Sequence, residues 1–172
     1  MNGIKISTNI YVGLGSNLGD RFSNITNAIQ MLMKVSDTLT SSKLYETTPY
    51  GFSKQPAFLN SVCKLSTQFT PWLFLHHVKE IEKTLQRHRV FTNSPRTIDV
   101  DILMWGDIVL ESQLLTIPHP RFHERMFVLE PLFEISPTLV HPLLNLTVGE
   151  MRQAVQKKEP LEIQASSLRL FQ

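Results

Sequence analysis

The chain has 172 residues, of which 42% are hydrophobic and 19% are charged, and its formal net charge is +2. No apolar run approaches the length that spans a bilayer, the opening residues lack the apolar core of a signal peptide, and the charge is too small for a nucleic-acid-binding tail. We therefore expect a cytoplasmic monomer with one globular domain over residues 1–160 and a tail over 161–172, which binds neither nucleic acid nor a membrane.

The first predicted elements are a strand and a helix. Residues 9–14 form a short β-rich run, which the loop GSNLGDR follows. Apolar residues at intervals of three and four then predict a helix from Asp20 to about Val35, with Asp20 as its N-cap. The glycines of this region do not have the spacing of a dinucleotide-binding fingerprint. Either turn conformations or the close approach of a flat ligand to the backbone explains these glycines.

Two further β-rich stretches, SSKLYETTPYGF and AFLNSVCKLST, predict adjacent strands joined by a loop that contains Pro49 and Pro56. Pro71 then occupies the first turn of a second predicted helix, which runs to about Gln86. On this helix, we expect Glu82 to orient neighbouring arginines.

The second half of the chain opens with RTIDVDIL, residues 96–103. Ile98, Val100, Ile102 and Met104 alternate with more polar positions, and this period of two predicts a strand with one face against a core. The segment GDIVLESQLLTIPHP predicts a hairpin or short strands, RFHERMFVLEPLFEI a short helix, and residues 148–156 a last amphipathic helix.

Without the C-terminal additions, the predicted order is strand, helix, strand, strand, helix, strand. This βαββαβ order predicts the ferredoxin-like fold, in which a four-stranded antiparallel sheet carries two helices on one face. The opposite face of the sheet would then be available for a functional site.

Two carboxylates on the fourth strand are the main chemical signal. Alternation places Asp99 and Asp101 on one face, roughly 6.5–7 Å apart along the backbone. Like charges at this range repel unless a cation neutralises them, and Mg²⁺ prefers carboxylate oxygens. We therefore expect a Mg²⁺ site, although a solvated edge of an ordinary strand is the alternative. Arg96 and two basic clusters, Arg87-His88-Arg89 and His119 with Arg121 and Arg125, favour a polyphosphate substrate.

Four blocks of the sequence resemble one enzyme family. They are GLGSNLGDR, YETTPYG with QPAFLNSV, PRTIDVDIL, and IPHPRFHERMFVLEPLFEISP. Over about residues 10–150, the chain is similar to the 6-hydroxymethyl-7,8-dihydropterin pyrophosphokinases of folate biosynthesis. The resemblance implies transfer of the β,γ-diphosphoryl group of ATP to the pterin hydroxymethyl oxygen, which leaves AMP. It also implies two Mg²⁺ ions held by Asp99 and Asp101.

The resemblance assigns roles to further residues. The catalytic set is Asp99, Asp101, Arg87 and Arg96. ATP is expected to contact Arg87, Arg96, Ile102, Thr116, His119 and Arg125, with adenine framed by backbone near Ile102 and Thr116. The pterin is expected between the rings of Phe58 and Phe127, with its polar edge on Asn60 and on the backbone of Thr47, Pro49 and Tyr50.

The chain also departs from the family pattern. Asn93 and Ser94 replace a common Trp-Gly pair in a slightly shorter loop before Pro95, which predicts weaker closure over the nucleotide. Gln86 replaces a usual Gly, and Lys79 a frequent Gln.

Two other functions are compatible with parts of the sequence. A ferredoxin-like sheet is often an RNA-binding or regulatory platform, which would require exposed aromatic residues such as Tyr11 and Phe58 on its strands. A two-metal phosphohydrolase would use the same aspartates and arginines.

Overall fold

A computed structural model describes residues 7–49, 55–88, 94–158 and 164–169 of the chain. Its first part consists of β1 (Thr8–Ser16), α1 (Arg21–Met33), β2 (Thr38–Ser41), β3 (Lys43–Thr47), β4 (Phe58–Thr67), α2 (Pro71–Thr84) and β5 (Asp99–Trp105). The second part consists of β6 (Leu110–Glu111), β7 (Thr116–Ile117), a short 3-10 helix (Phe122–Glu124), α3 (Met126–Ile135), α4 (Val148–Lys158) and β8 (Gln164–Arg169).

The main sheet has the strand order β5-β1-β4-β3-β8, and β2 also pairs with β4. All of these pairs are antiparallel. Since β2 and β3 are separated only by Ser42 and share β4 as partner, they occupy one interrupted strand position. The fold is therefore ferredoxin-like, as predicted from the element order. β6 and β7 form the predicted hairpin apart from this sheet.

Helices cover both faces of the sheet. Apolar residues of α1 and α2 pack with alternate residues of β1, β4 and β5 in a first core. On the opposite face, α3 and α4 form a second, smaller core that includes Tyr11, Val62 and Leu103. The prediction of two helices on one face is correct for α1 and α2. The other face is open only where α3 and α4 do not cover it.

A β-bulge changes the predicted alternation of β5. Tyr11 pairs with Met104 and Val12 pairs with Ile102, so that Leu103 is an extra residue in β5. Consequently Leu103 and Met104 both pack in the second core. The prediction that Met104 shares a face with Ile102 was wrong, because the alternation could not reveal the bulge.

The helix termini follow the predicted signals. The Asp20 side chain accepts a hydrogen bond from the Ser23 amide at 3.0 Å and caps α1. Pro71 is the first residue of α2, and Thr70 caps that helix. None of the helices in the described part of the chain is long and apolar enough to cross a membrane.

The C-terminal segment adds a strand that the sequence analysis did not predict. β8 pairs with the free edge of β3, with Tyr45 opposite Ala165 and Glu46 opposite Gln164. Part of the predicted tail thus extends the sheet.

Candidate active site

The two aspartates of β5 lie beside two glycines of β1. Gly15 is directly opposite Asp99, and Gly13 is directly opposite Asp101. On its other side, Gly15 is opposite Asn60 of β4. Because the glycines have no side chains, the face of β1 between the aspartates and Asn60 is a shallow channel. This channel is the floor of a cleft.

The cleft collects most of the predicted site residues. Its lining includes Thr47, Phe58, Asn60, Arg96, Asp99, Asp101, Arg125 and Phe127. The predicted carboxylates, two of the predicted arginines and both predicted rings therefore meet in one place. A cleft with apolar walls and a few convergent polar groups is typical of a small-molecule site.

Asp99 forms ion pairs with two arginines. Arg87 Nη2 lies 2.7 Å from Asp99 Oδ1, and Arg96 Nη2 lies 2.7 Å from Asp99 Oδ2. The repulsion between the neighbouring aspartates, from which the sequence analysis inferred a cation, is thus offset at Asp99 by guanidinium groups. Both carboxylate oxygens of Asp99 are engaged with cationic groups.

Asp101 is in a different environment. Burial raises the pKa of its carboxyl group and the charge of Asp99 raises it further, whereas Arg125 and Arg87 oppose the rise. A cation beside Asp101 would favour its ionised form.

The end of α2 places Arg87. The Arg87 amide donates to the Glu82 carbonyl at 2.9 Å and the Gln86 amide donates to the Lys83 carbonyl at 3.0 Å, which is the Schellman arrangement. Gln86 adopts a φ of 56°, a conformation that glycine favours. This explains why the family usually has Gly where this chain has Gln86.

Glu82 anchors the Arg87 side chain, as expected from the sequence. Its carboxylate is buried, and its Oε1 accepts hydrogen bonds from Arg87 Nη1 and, at 3.1 Å, from the Val100 amide. Lys79 lies 2.9 Å from the other oxygen of Glu82. One buried carboxylate therefore connects α2, β5 and Arg87.

The two rings of the cleft each lie under an arginine. The Arg96 guanidinium is 5.0 Å from the centroid of Phe58, and the Arg125 guanidinium is 5.8 Å from the centroid of Phe127. The Nε atoms of both arginines are buried without a hydrogen-bond partner. Buried N–H groups without a partner are uncommon, and a bound anion is one kind of partner that would satisfy them.

Asn60 is held by a strand neighbour. Its Nδ2 donates to Thr47 Oγ1 at 2.8 Å, and both residues are buried. A β-carbon at Gly15 would lie 3.1 Å from Asn60 Oδ1, so the Asn60 oxygen approaches the glycine channel closely. The site therefore presents an oriented acceptor beside the rings.

His119 lies next to β5 but is not among the residues that line the cleft. Its amide donates to the Leu103 carbonyl at 2.9 Å, and its Nδ1 accepts from the Arg121 amide at 3.2 Å. Burial lowers the pKa of His119 to about 4, and the charge of Arg125 contributes to this shift. The imidazole is therefore neutral near pH 7, with its hydrogen on Nε2.

Four predicted contacts lie elsewhere or are not described. The Ile102 side chain lies in the first core and does not line the cleft, so only its backbone could contact a ligand. Thr116 is in the small hairpin, and Pro49 follows β3 half-buried. Neither of them lines the cleft. Tyr50 lies outside the described residues, as does Asn93 of the loop expected to close over the nucleotide.

The structure adds residues that the sequence analysis did not select. Leu103, Val62 and Val128 line the cleft and also pack in the second core. An apolar residue in a strand or helix gives no signal that distinguishes a cleft wall from a core. Gly13 and Gly15 did have a signal, because their spacing in the opening block admitted a flat ligand.

The donor set agrees with Mg²⁺ bound together with a polyphosphate. Among the residues that the structure describes, no three His, Cys, Asp or Glu side chains form a metal-binding group. Mg²⁺ commonly takes one or two protein carboxylates and completes its shell with water and substrate phosphates. Asp99 and Asp101 provide that number of carboxylates beside arginines that suit phosphate.

Solved structures share this fold. The chain aligns with the crystal structure of wild-type Plasmodium falciparum HPPK-DHPS with a TM-score of 0.70 and 16% identity, over 89% of this chain and 45% of that chain. The A437G variant of that protein with STZ-DHP gives a TM-score of 0.72 over 92% of this chain and 48% of that chain, also at 16% identity. At this identity, the comparison supports the fold.

Relatives of known name are more similar in sequence. The 2-amino-4-hydroxy-6-hydroxymethyldihydropteridine pyrophosphokinase of Aquifex aeolicus is 40% identical over 143 residues, which cover 83% of this chain and 89% of the relative. The Haemophilus influenzae protein of the same name is 35% identical, over 86% of this chain and 94% of the relative.

Longer relatives contain a similar segment. The folic acid synthesis protein fol1 of Pneumocystis carinii is 46% identical over 141 residues, which are 81% of this chain but 19% of that protein. The chain thus spans about a fifth of the length of such relatives. The sequence profile of 7,8-dihydro-6-hydroxymethylpterin-pyrophosphokinase (HPPK) matches residues 11–137. The chain therefore belongs to this family.

Proposed function

We propose that the chain transfers the β,γ-diphosphoryl group of ATP to the hydroxymethyl oxygen of 6-hydroxymethyl-7,8-dihydropterin, as a diphosphokinase of folate biosynthesis. The observation that carries the proposal is a single cleft in which two rings, Phe58 and Phe127, stand beside the carboxylates Asp99 and Asp101 and two partly unsatisfied arginines. Membership of the family and the names of the relatives support it.

The chemistry requires one bond to form and one to break. The alcohol oxygen of the pterin attacks the β-phosphorus of ATP, and the bond from this phosphorus to the α,β-bridging oxygen breaks, so that AMP leaves. The alcohol proton passes to a base or to water. Because phosphoryl transfer depends mainly on positioning and charge stabilisation, the chain has to align the two substrates and neutralise the triphosphate.

Different residues of the site would bind the pterin and the phosphates. Phe58 and Phe127 would hold the flat ring, and Asn60 would bind its polar edge. Arg87 and Arg96 would contact phosphate oxygens, because a guanidinium binds phosphate through the same forked hydrogen bonds that it forms with a carboxylate. A triphosphate would thus compete with Asp99 for its two arginines.

We further propose that Asp99 and Asp101 hold two Mg²⁺ ions, which when bound would neutralise charge on the polyphosphate and on the leaving AMP. His119 would donate its Nε2 hydrogen to the nucleotide, whose adenine would lie against the backbone near Ile102 and Thr116. We also propose that the protein is a monomer and that it works in the cytoplasm.

One rival function is weakened by the structure. An RNA-binding sheet needs exposed aromatic residues on its strands, but Tyr11 is only 5% exposed and packs in the second core. A phosphohydrolase is distinguished by its products.

Turnover assays with purified protein, ATP and Mg²⁺ test the proposal. We expect AMP to form only when the pterin alcohol is present, and Asp99→Ala and Asp101→Ala each to reduce the rate about a thousandfold or more while the fold is retained. Asp107→Ala is the control, since Asp107 is exposed in the turn after β5. Release of AMP or phosphate without the pterin would indicate hydrolysis, and full activity in either aspartate variant would contradict the assignment of these residues.

A further inference from the structure

Asn17 is a buried residue outside the proposed substrate contacts. It lies in the loop between β1 and α1 and is 1% exposed. Its Nδ2 donates hydrogen bonds to Gln55 Oε1 at 2.9 Å and to the Pro56 carbonyl at 3.2 Å. Its Oδ1 accepts a hydrogen bond from the Arg96 amide at 2.8 Å. Both donors and the acceptor of this amide are therefore used.

These bonds connect two walls of the cleft that are far apart in sequence. Gln55 and Pro56 precede Phe58, whose ring is one side of the proposed pterin site. Arg96 begins the segment that leads to Asp99, and its carbonyl also accepts from the Asn17 amide at 3.1 Å. One side chain thus joins the wall that contains Phe58 (the Phe58 wall) to the wall that contains Arg96 (the Arg96 wall).

The hydrogen bonds of Asn17 lie close to the contact between Arg96 and Phe58, whose distance they would control. The Arg96 guanidinium is 5.0 Å from the centroid of Phe58, so the two walls already meet at this point. Since Asn17 fixes the backbone on both sides of this contact, its loss would alter the width of the cleft. The Pro56 carbonyl would also lose its partner.

We propose that Asn17 is a positioning residue, which sets the distance between Phe58 and Arg96 and thereby the fit of the pterin ring. The inference rests on the proposed function. The inference gives the Asn of the GSNLGD block a role beyond forming a turn. The hydrogen bonds of Asn17 reach residues outside the loop between β1 and α1, whereas those of Asn24 reach only residues near this loop. Asn24 Nδ2 donates to Ser16 Oγ at 3.3 Å and to the Leu18 carbonyl at 3.0 Å.

Asn17→Asp should affect the two walls differently. The aspartate retains an acceptor for the Arg96 amide but places an oxygen against the Pro56 carbonyl, where the wild type has a donor. We therefore expect the Phe58 wall to move while the Arg96 wall is retained. The KM for the pterin alcohol should rise about tenfold, and the KM for ATP should change by less than about threefold. Asn24→Asp, the matched control, should leave both constants within about twofold of wild type.

A second variant protects the test against misfolding. If Asn17→Asp does not fold, Asn17→Ser provides a hydroxyl that is too short for both walls. The amide of residue 17 still donates to the Arg96 carbonyl, so the Phe58 wall loses its bonds to this residue while the Arg96 wall keeps one, and the same preferential rise in the KM for the pterin is expected. An unchanged KM for the pterin in a folded variant would overturn the proposal. Equal rises in both KM values, or an equal rise in Asn24→Asp, would also overturn it, because they indicate a general loss of structure.

Calorimetric binding of the pterin alcohol separates this proposal from the proposed function. If the wild type binds the pterin but forms no AMP, the proposed reaction fails, whereas weaker pterin binding by Asn17→Asp than by Asn24→Asp would still support the role of Asn17. Equal pterin affinities in the two variants would overturn that role even if the wild type is fully active.

Discussion

Two residues without side chains determine the shape of the cleft. Gly13 and Gly15 lie between the aspartates of β5 and the residues of β4, on the face of the sheet that α3 and α4 leave partly open. Space at these positions lets a flat ligand approach the carboxylates. The charged residues can bind phosphate and metal ions, and the glycines leave the space in which a ligand reaches them.

Gly15→Ala should weaken pterin binding. An added β-carbon would lie 3.1 Å from Asn60 Oδ1, so the Asn60 side chain would have to shift by a few tenths of an ångström, and it would fill space beside Phe58, which lies 3.7 Å away. We expect at least a tenfold loss of pterin affinity in calorimetry, with the fold retained. Gly149→Ala is the control, because Gly149 lies in α4 outside the cleft lining and its β-carbon would meet Phe133 at 3.4 Å. An equal effect of the two substitutions would contradict this account of the channel.

The neutral state of His119 predicts a dependence of stability on pH. Its pKa is lowered from 6.5 to about 4, first by burial and then by the charge of Arg125. The unfolded chain therefore binds a proton on this histidine at higher pH than the folded chain does. Stability should be lost as the pH falls from about 6.5 towards 4.

Denaturant unfolding of His119→Gln tests this dependence. Between pH 7 and pH 4.5, wild type should lose about 1–2 kcal/mol more unfolding free energy than His119→Gln, after allowance for partial exposure of the ring. His76→Gln, an exposed position on α2, should behave as wild type does. Parallel pH curves for wild type and His119→Gln would show that the folded protein does not hold His119 neutral.

Among the elements, α2 and β5 cooperate to place Arg87. The helix ends in a left-handed residue, the chain turns back, and Glu82 holds the arginine that reaches Asp99. The family commonly has Gly where this chain has Gln86, and a side chain in the left-handed region costs roughly 1–2 kcal/mol.

Gln86→Gly should therefore stabilise the chain. After the greater entropy of glycine in the unfolded state is deducted, the net gain should be about 0.5–1 kcal/mol in urea unfolding. Gln86→Ala is the control, because alanine retains the β-carbon and the strain. A loss of stability in Gln86→Gly would mean that the Gln86 side chain makes a stabilising contact.

Sequence patterns predicted elements better than they predicted positions within them. Periodicity and start signals located α1 and α2, because apolar spacing, the N-cap Asp20 and the first-turn proline Pro71 are local signals. The bulge in β5 had no local signal, since it depends on how Tyr11 and Val12 pair across the sheet. β8 was missed for a similar reason: the free edge of β3, with which it pairs, is remote in sequence.

For the whole molecule, the family resemblance gathered site residues that no local pattern connects. Phe58, Arg96 and Phe127 lie on separate segments, and the fold brings them into one cleft. Sequence reasoning expected a cation to relieve the repulsion at Asp99, but it did not anticipate that Arg87 and Arg96 would form ion pairs with this carboxylate. The roles of Glu82 as anchor and Asn17 as connector depend on hydrogen bonds that only the folded chain reveals.

The single cleft also implies that the pterin ring and the triphosphate of ATP bind side by side in one site. The phosphates would reach the aspartates while the alcohol of the ring lies next to the β-phosphorus. The proposed transfer of two phosphoryl groups together, in which the α-phosphate stays with the nucleoside, would follow from this arrangement.

Labelled ATP tests this central claim most directly. The wild-type chain is incubated with Mg²⁺, the pterin alcohol and ATP labelled at either the γ- or the α-phosphorus, and the products are separated. We predict that the γ-label appears in the pterin diphosphate and the α-label only in AMP, with one AMP for each pterin diphosphate. Label from the γ-position in inorganic phosphate or free diphosphate, with an unmodified pterin, would contradict the account.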